Sequence, residues 1–279
     1  MSEFAKNLQK GTSLSFFGGS LDEKTLKSIK DAGIDCIEIS VAMDKLIHSY
    51  GFIERAKEYG ELIKACGLEL WSLHLPFSRT IDISLPRKFE RDYAVGMDTA
   101  LIKAAAEAGA KVCVLHPSSE PIADKDRPMR IRYSHESVKK LSAVADSVGI
   151  TLAVENLPRT CLTRMPEEMA QILEGTNAKM CFDANHSLTL MNLEYLERIK
   201  DFGIKVATVH FSDYDFIDER HRIPGDGIND WNGIMACLES TQYSGPIMYE
   251  VSAKPKDRKE TYTVQDLSAN MDLLADGKL

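Results

Sequence analysis

One alternation recurs along the chain: an amphipathic stretch, a glycine, then a short run dense in β-branched and large apolar residues. It appears as DAGIDCIEIS (31–40), ACGLELWSLHLPF (65–77), EAGAKVCVLHP (107–117), SVGITLAVEN (147–156) and DFGIKVATVHFS (201–212). Gly33, Gly67, Gly109, Gly149 and Gly203 stand where a helix ends and the next residue must tolerate the left-handed region. The near-continuous apolar runs that follow read as strands covered on both faces, the mark of a parallel sheet. KMCFDA (179–184) and PIMYEVS (246–252) add two strands, and SLSFF (13–17) reads as the first. Helices are expected near 21–32, 52–66, 88–108, 133–148, 165–174, 194–202, 230–239 and 264–276, with Ser20 and Glu23 suited to a capping box at the first.

Eight strands alternating with helices through right-handed crossovers close most naturally into a (β/α)8 TIM barrel. An open doubly wound sheet is the rival, but no strand leads into a Gly-rich dinucleotide fingerprint. With 279 residues and no linker or low-complexity segment, residues 1–279 read as one barrel domain.

Composition narrows the partners. A net charge of −8 disfavours nucleic acid and anionic membrane, although KDRPMRIR (125–132) is a local basic stretch. No apolar run approaches membrane-spanning length. The polar start and six cysteines without a CxxC pair are expected of reduced thiols in a cytoplasmic enzyme; a homo-oligomer stays open.

Barrel chemistry sits at the C-terminal ends of strands. There the chain places His74, His116, Glu155, Asp183, His210 and Glu250, with His186 three residues past Asp183. Each histidine alone could be an ordinary hydrogen-bonded residue; their joint placement favours convergence on one centre. Carboxylate oxygen with imidazole nitrogen suits a divalent metal, Mn²⁺ or Zn²⁺ first, then Co²⁺, Fe²⁺ or Mg²⁺, and no cysteine-rich cage is offered. Strands 5 to 8 are neighbours, so Glu155, Asp183, His210 and Glu250 are expected around one ion. The polar loop DERHRIPGDGINDW (218–231) reads equally as a solvated loop closed by its Pro-Gly turn or as one that brings His221 over the site as a further ligand or substrate contact. Arg159 and Arg87 are candidate contacts for an anionic or hydroxylated substrate. Phe16, Phe17, Trp71, Phe77, Phe211 and Trp231 are candidate wall residues, while His48 and His135 carry no assigned function.

LHLP (73–76), LHPSSE (115–120), VEN (154–156), FDANH (182–186), VHFSD (209–213), ERHRIPGDG (219–227) and YEVS (249–252), in this order, resemble the xylose-isomerase-like barrel superfamily over nearly the whole chain. That superfamily holds sugar isomerases and epimerases, inosose dehydratases and endonuclease-IV-type repair enzymes. In the epimerase branch the resemblance implies one metal on Glu155, Asp183, His210 and Glu250, with Glu155 and Glu250 as the acid/base pair. The reaction implied is proton transfer through a metal-stabilised enediolate of a free or phosphorylated sugar, with His74, His116, His186, His221 and Arg159 lining the substrate. Two departures stand out. NLPRTC (156–161) lacks the further glutamate typical of ketose 3-epimerases, and Leu157 stands where xylose isomerase has lysine. The alternatives are a lyase (dehydratase) on the same barrel and an endonuclease-IV-like zinc phosphodiesterase acting on abasic DNA. For the latter the resemblance implies three subsites, with Glu219-Arg220-His221 in place of Asp-x-His.

Overall fold

A computed structural model describes residues 3–41, 46–259 and 261–279, with side chains of 46–50 outside the described set, so His48 is not placed. The strands are β1 (Lys10–Ser13), β2 (Cys36–Ser40), β3 (Glu69–His74), β4 (Val112–Leu115), β5 (Thr151–Glu155), β6 (Lys179–Asp183), β7 (Val206–His210) and β8 (Ile247–Tyr249). Between and after them run α1 (Glu23–Asp31), α2 (Leu46–Ala65), α3 (Lys88–Glu107), α4 (Arg127–Ser147), α5 (Pro166–Leu173), α6 (Asn192–Asp201), α7 (Trp231–Ser240) and α8 (Val264–Asp276). The strands form one sheet in sequential order, with β8 returning to β1, and every named pairing is parallel. Phe211 closes the remaining seam: its N–H donates to Met248 O at 2.8 Å and its carbonyl accepts from Glu250 N at 3.1 Å. The result is a (β/α)8 barrel.

The glycine rule holds where it can be checked. Gly33 and Gly109, which end α1 and α3, have φ of 80° and 87°, values that side chains with a Cβ rarely adopt. Each lets the chain reverse from a helix into a strand within a few residues.

Two expectations at the N-terminus need correction. The first strand is Lys10–Ser13 rather than 13–17, because Ser13 Oγ accepts from Ser15 N and turns Leu14–Phe17 into a 3-10 helix closed by Gly18 in the left-handed region. Leu14 and Phe16 are still buried, which is why an alternating pattern there resembles a strand. The cap of α1 is Asp22, accepting from Thr25 N at 2.9 Å, and not Ser20 with Glu23. A capping box is formed instead at α8, by Thr263 and Asp266.

Apolar faces of the helices pack on the barrel: Leu26 and Ile29 of α1, Leu101 and Ile102 of α3, Ile234 and Leu238 of α7 are all buried. Among the described residues no helix is long and apolar enough to cross a membrane.

Candidate metal centre and active site

Strand ends bring the predicted residues together. Glu155 ends β5, Asp183 ends β6 and His210 ends β7, all three fully buried, and Glu250 follows β8. His210 Nδ1 lies 3.2 Å from Glu155 Oε1, 3.1 Å from Glu250 Oε2 and 3.8 Å from Asp183 Oδ2. Two further groups flank this centre. His74 and His116 place Nε2 at 3.2 and 3.0 Å from Glu155 Oε2. On the other side His186 Nε2 approaches Glu219 Oε1 at 3.7 Å, with His221 alongside. Each set offers ligand atoms within 4.8 Å of one another, so inner (His74, His116, Glu155), central (Glu155, Asp183, His210, Glu250) and outer (His186, Glu219, His221) clusters share one mouth.

The arrangement fits a divalent cation on two observations. Asp183 Oδ2 is buried without a hydrogen-bond partner, an expensive condition that a bound cation relieves. The histidines are also pre-oriented as ligands. Nδ1 of His74, His186 and His221 faces the carbonyls of Leu75, Asn156 and Glu250 at 2.9, 2.9 and 3.0 Å, so each Nδ1–H donates there and Nε2 is left for the cluster. His210 is reversed: its Nε2–H donates to Glu38 Oε2 at 3.0 Å and Nδ1 faces the carboxylates. An imidazole whose second nitrogen is tied to a carbonyl or carboxylate is the usual supported metal ligand. Cys181 falls near Glu155 and His210, but burial pushes its thiol well up and keeps it protonated, a poor ligand beside these oxygens and nitrogens.

Charges follow from crowding. Burial raises the Glu155 carboxyl, but His116 and His210 outweigh it and hold the group well below its ordinary range. Burial and the charges of Glu155 and Glu250 push Asp183 well up, despite His186. Burial disfavours the charged forms of His74 and His186. The carboxylates facing them (Glu155 for His74, Asp183 and Glu155 for His186) nevertheless raise them to about 9 and about 10. His116, where burial dominates, is lowered.

The mouth opens into a cavity of about 320 Å³ walled by Phe77, Arg79, Glu120, Leu157, Arg159 and the cluster residues other than Asp183 and His210. Phe77 stacks on His116 at 3.8 Å between ring centroids. Arg159, Glu219 and His221 are shared with an adjoining cavity of about 510 Å³ that reaches Ser252 and Lys256. A groove of about 630 Å³ lies at the opposite end of the barrel, where α5 and α6 run into β6 and β7, remote from all three clusters.

All nine predicted site residues therefore meet at one mouth. Other candidates do not. Arg87 precedes α3 without capping it through its side chain and pairs with Glu90 in solvent. Phe211 and Trp231 pack on each other, Phe16 is buried beside Phe17, and Trp71 donates to Thr208 within the barrel. The basic stretch 125–132 is no phosphate site at its core, because Arg127 is paired with Glu168 and Arg130 with Asp82, all buried. Sequence reasoning missed Glu38, Asn156 and Asn185. Asn156 Oδ1 accepts from Asp183 N, and Asn185 Oδ1 accepts from Arg220 N and His221 N. Both asparagines adjoin candidate ligands in VEN and DANH, a signal that was available.

Comparison with known proteins places the chain. A family model described as the xylose isomerase-like TIM barrel matches residues 26–270. The chain belongs to the xylose isomerase-like TIM barrel family. An uncharacterised protein of Methanocaldococcus jannaschii is 27% identical over 185 residues, 64% of this chain and 63% of that protein. The inosose dehydratase of Salmonella typhimurium is 25% identical over 141 residues, 43% of this chain and 46% of that one, so the chain spans less than two thirds of either relative. Among solved structures, a D-tagatose 3-epimerase-like protein superposes with a TM-score of 0.79 at 20% identity, covering 98% of this chain and 100% of the other. A D-psicose 3-epimerase from Clostridium cellulolyticum H10 superposes at 0.75 and 16% identity, covering 97% and 98%. At these identities the superpositions show a common fold.

Proposed function

We propose that this protein is a divalent-metal-dependent isomerase or epimerase that moves a proton at the carbon beside a sugar carbonyl, on a free or phosphorylated sugar. The observation that carries the reading is the pair of carboxylates on one nitrogen: Glu155 and Glu250 reach His210 Nδ1 from β5 and β8 at 3.2 and 3.1 Å, at the floor of a cavity of about 320 Å³. Glu155, Asp183, His210 and Glu250 are the residues that would hold the metal, with Mn²⁺ or Zn²⁺ suited to the donor set. When bound, a divalent ion supplies Lewis-acid polarisation of the carbonyl and its neighbouring hydroxyl. In this reading Glu155, which ends β5, and Glu250, which follows β8, remove a proton from one face of the substrate carbon and return one at the other, which inverts that carbon. Return at the adjacent carbon instead interconverts aldose and ketose. His186 and His116 offer hydrogen bonds to substrate oxygens, Arg159 stands at the rim, and Phe77 covers His116 from solvent.

The test is solvent-deuterium incorporation into a panel of ketoses and aldoses, free and phosphorylated, read by NMR together with a dehydration assay. The Glu155→Gln/Glu250→Gln variant should lose turnover by at least ~10²–10⁴-fold, the scale of general acid–base catalysis. Undiminished turnover in that variant would sink the mechanism.

One observation favours a second reading. The inner and outer clusters beside the central one form the arrangement a three-metal phosphodiesterase acting on abasic DNA would use. Against it stand the net charge of −8 and the internal pairing of Arg127 and Arg130. About three zinc ions per chain, together with nicking of abasic-site DNA, would move the assignment to this class.

A further inference from the structure

We propose that the Arg159 guanidinium is the resident cation of the outer cluster, neutralising Glu219 so that a divalent ion is kept from the His186–Glu219–His221 set. This rests on the reading that the barrel mouth binds metal, and it separates the outer cluster from the other two.

The geometry is a competition for one atom. Arg159 Nη1 lies 3.2 Å from Glu219 Oε1, and that same oxygen is the one 3.7 Å from His186 Nε2. Among the described residues Glu219 is the sole carboxylate of the outer cluster. A guanidinium remains charged at any pH the protein survives, so it does not yield Glu219 by losing a proton. A metal entering the cluster must either displace the arginine or sit against its positive charge.

Arg159 is also held in place. Its Nε donates to both oxygens of Glu120, at 2.9 and 3.2 Å, Nη2 lies 2.9 Å from Glu120 Oε1, and Nη1 donates to Asp218 at 3.1 Å. The loops after β4, β5 and β7 are thereby joined through one side chain. Its backbone has φ of 51°, in the left-handed region that side chains other than glycine seldom adopt. The other clusters are different. Among the described residues no lysine or arginine pairs with Glu155, Asp183 or Glu250, whose ion-pair contacts are all with histidines. Two clusters are thus open to a cation and the third carries one of its own.

In this arrangement Arg159 and Glu219 form the partition between the two adjoining cavities, both of which they line. That partition offers guanidinium and imidazole hydrogen bonds to a substrate, in place of a third ion.

The test counts ions rather than turnover. Wild type, Arg159→Ala and Arg159→Ala/Glu219→Gln are stripped with chelator, loaded with excess Zn²⁺, desalted and measured by elemental mass spectrometry. Arg159→Ala should retain about one ion per chain more than wild type, and the added Glu219→Gln should remove it, because the cluster then lacks its carboxylate. Equal counts in wild type and Arg159→Ala overturn the inference. If both hold the same one or two ions, only this inference fails; if neither holds any, the metal reading above fails with it. Arg159→Met, which keeps the aliphatic stem, is measured in parallel with circular dichroism, so that a folding defect in the alanine variant is not mistaken for a lost site.

Discussion

Glu38 is a carboxylate in mid-strand, two residues before β2 ends, with no exposure to solvent. One of its oxygens accepts from Ser72 Oγ at 2.7 Å and faces His210 Nε2 at 3.0 Å; the other has no partner. Burying a carboxylate in this way is costly unless it is paired, and here its partner is His210. The contact fixes which imidazole nitrogen carries the proton and points Nδ1 at the central cluster. Glu38→Ala should weaken metal binding by roughly 10–100-fold, the usual scale for a residue supporting a ligand. Glu38→Gln should weaken it less, since its amide oxygen still accepts from Nε2–H. Chelator competition measures both, and ¹⁵N NMR of His210 reports the tautomer; equal metal affinity in wild type and Glu38→Ala would remove Glu38 from the site. The candidate ligands themselves were legible because strands of a barrel deliver their last residues to one end. Glu38 was not, because its role depends on a partner 172 residues away across the barrel, and CIEIS alone reads as a buried strand.

At the level of elements, the rim of the barrel is braced by charge buried between loops. Asp82, in the segment between β3 and α3, accepts from Arg130 Nη2 of α4 at 2.5 Å, from Ser119 N at 2.8 Å and from Ser84 N at 2.7 Å. Arg130 Nε also donates to Ser84 Oγ at 2.9 Å. The loop carrying Phe77 is thereby tied to the loop after β4, and the wall of the cavity beside His116 inherits its shape. Asp82→Ala leaves the Arg130 charge buried and unpaired and should cost about 3–5 kcal/mol of stability. Adding Arg130→Met, which removes that orphaned charge, should recover much of the loss; thermal denaturation of the two variants decides it, and a double variant no more stable than the single one would mean the pair is not the brace. Sequence alone reads KDRPMRIR as a basic stretch facing solvent, because local composition does not reveal that Asp82 and Glu168 lie opposite its arginines. The strand order was readable for the opposite reason. Glycine-to-strand junctions repeat locally, so each βα unit announces itself without help from the rest of the chain. The first unit was misplaced, where Ser13 bends the chain early and leaves buried apolar residues in a 3-10 turn, and α2 and α4 begin at 46 and 127 rather than at the expected 52 and 133.

For the whole molecule, the proposed metal binding would make folding, protonation and metal uptake one equilibrium. In the metal-free protein His74 is raised to about 9 and His186 to about 10 by the carboxylates they face, against the opposing effect of burial. Protons on these rings balance the buried carboxylates of Glu155 and Asp183. A histidine raised above its ordinary value of 6.5 adds stability that is fully present below that value and is lost as pH rises through the folded-state value. The metal-free protein should therefore lose stability between about pH 6.5 and 10. Metal ligation demands the neutral rings, so uptake at a cluster containing either residue releases protons and strengthens over the same range. His116, lowered by burial, is neutral already and contributes no such release. Both effects act in one direction, so the gap in Tm between metal-loaded and metal-free protein should widen with pH. Calorimetry of the two forms at about pH 6.5, 7.5 and 8.5, at fixed free metal, measures that gap. A gap that stays constant would mean that uptake releases no protons, and that the ions bind only through groups already deprotonated. Such a result would count against uptake at all three clusters, because His74 and His186 belong to the inner and outer ones and Asp183, pushed well up, belongs to the central one.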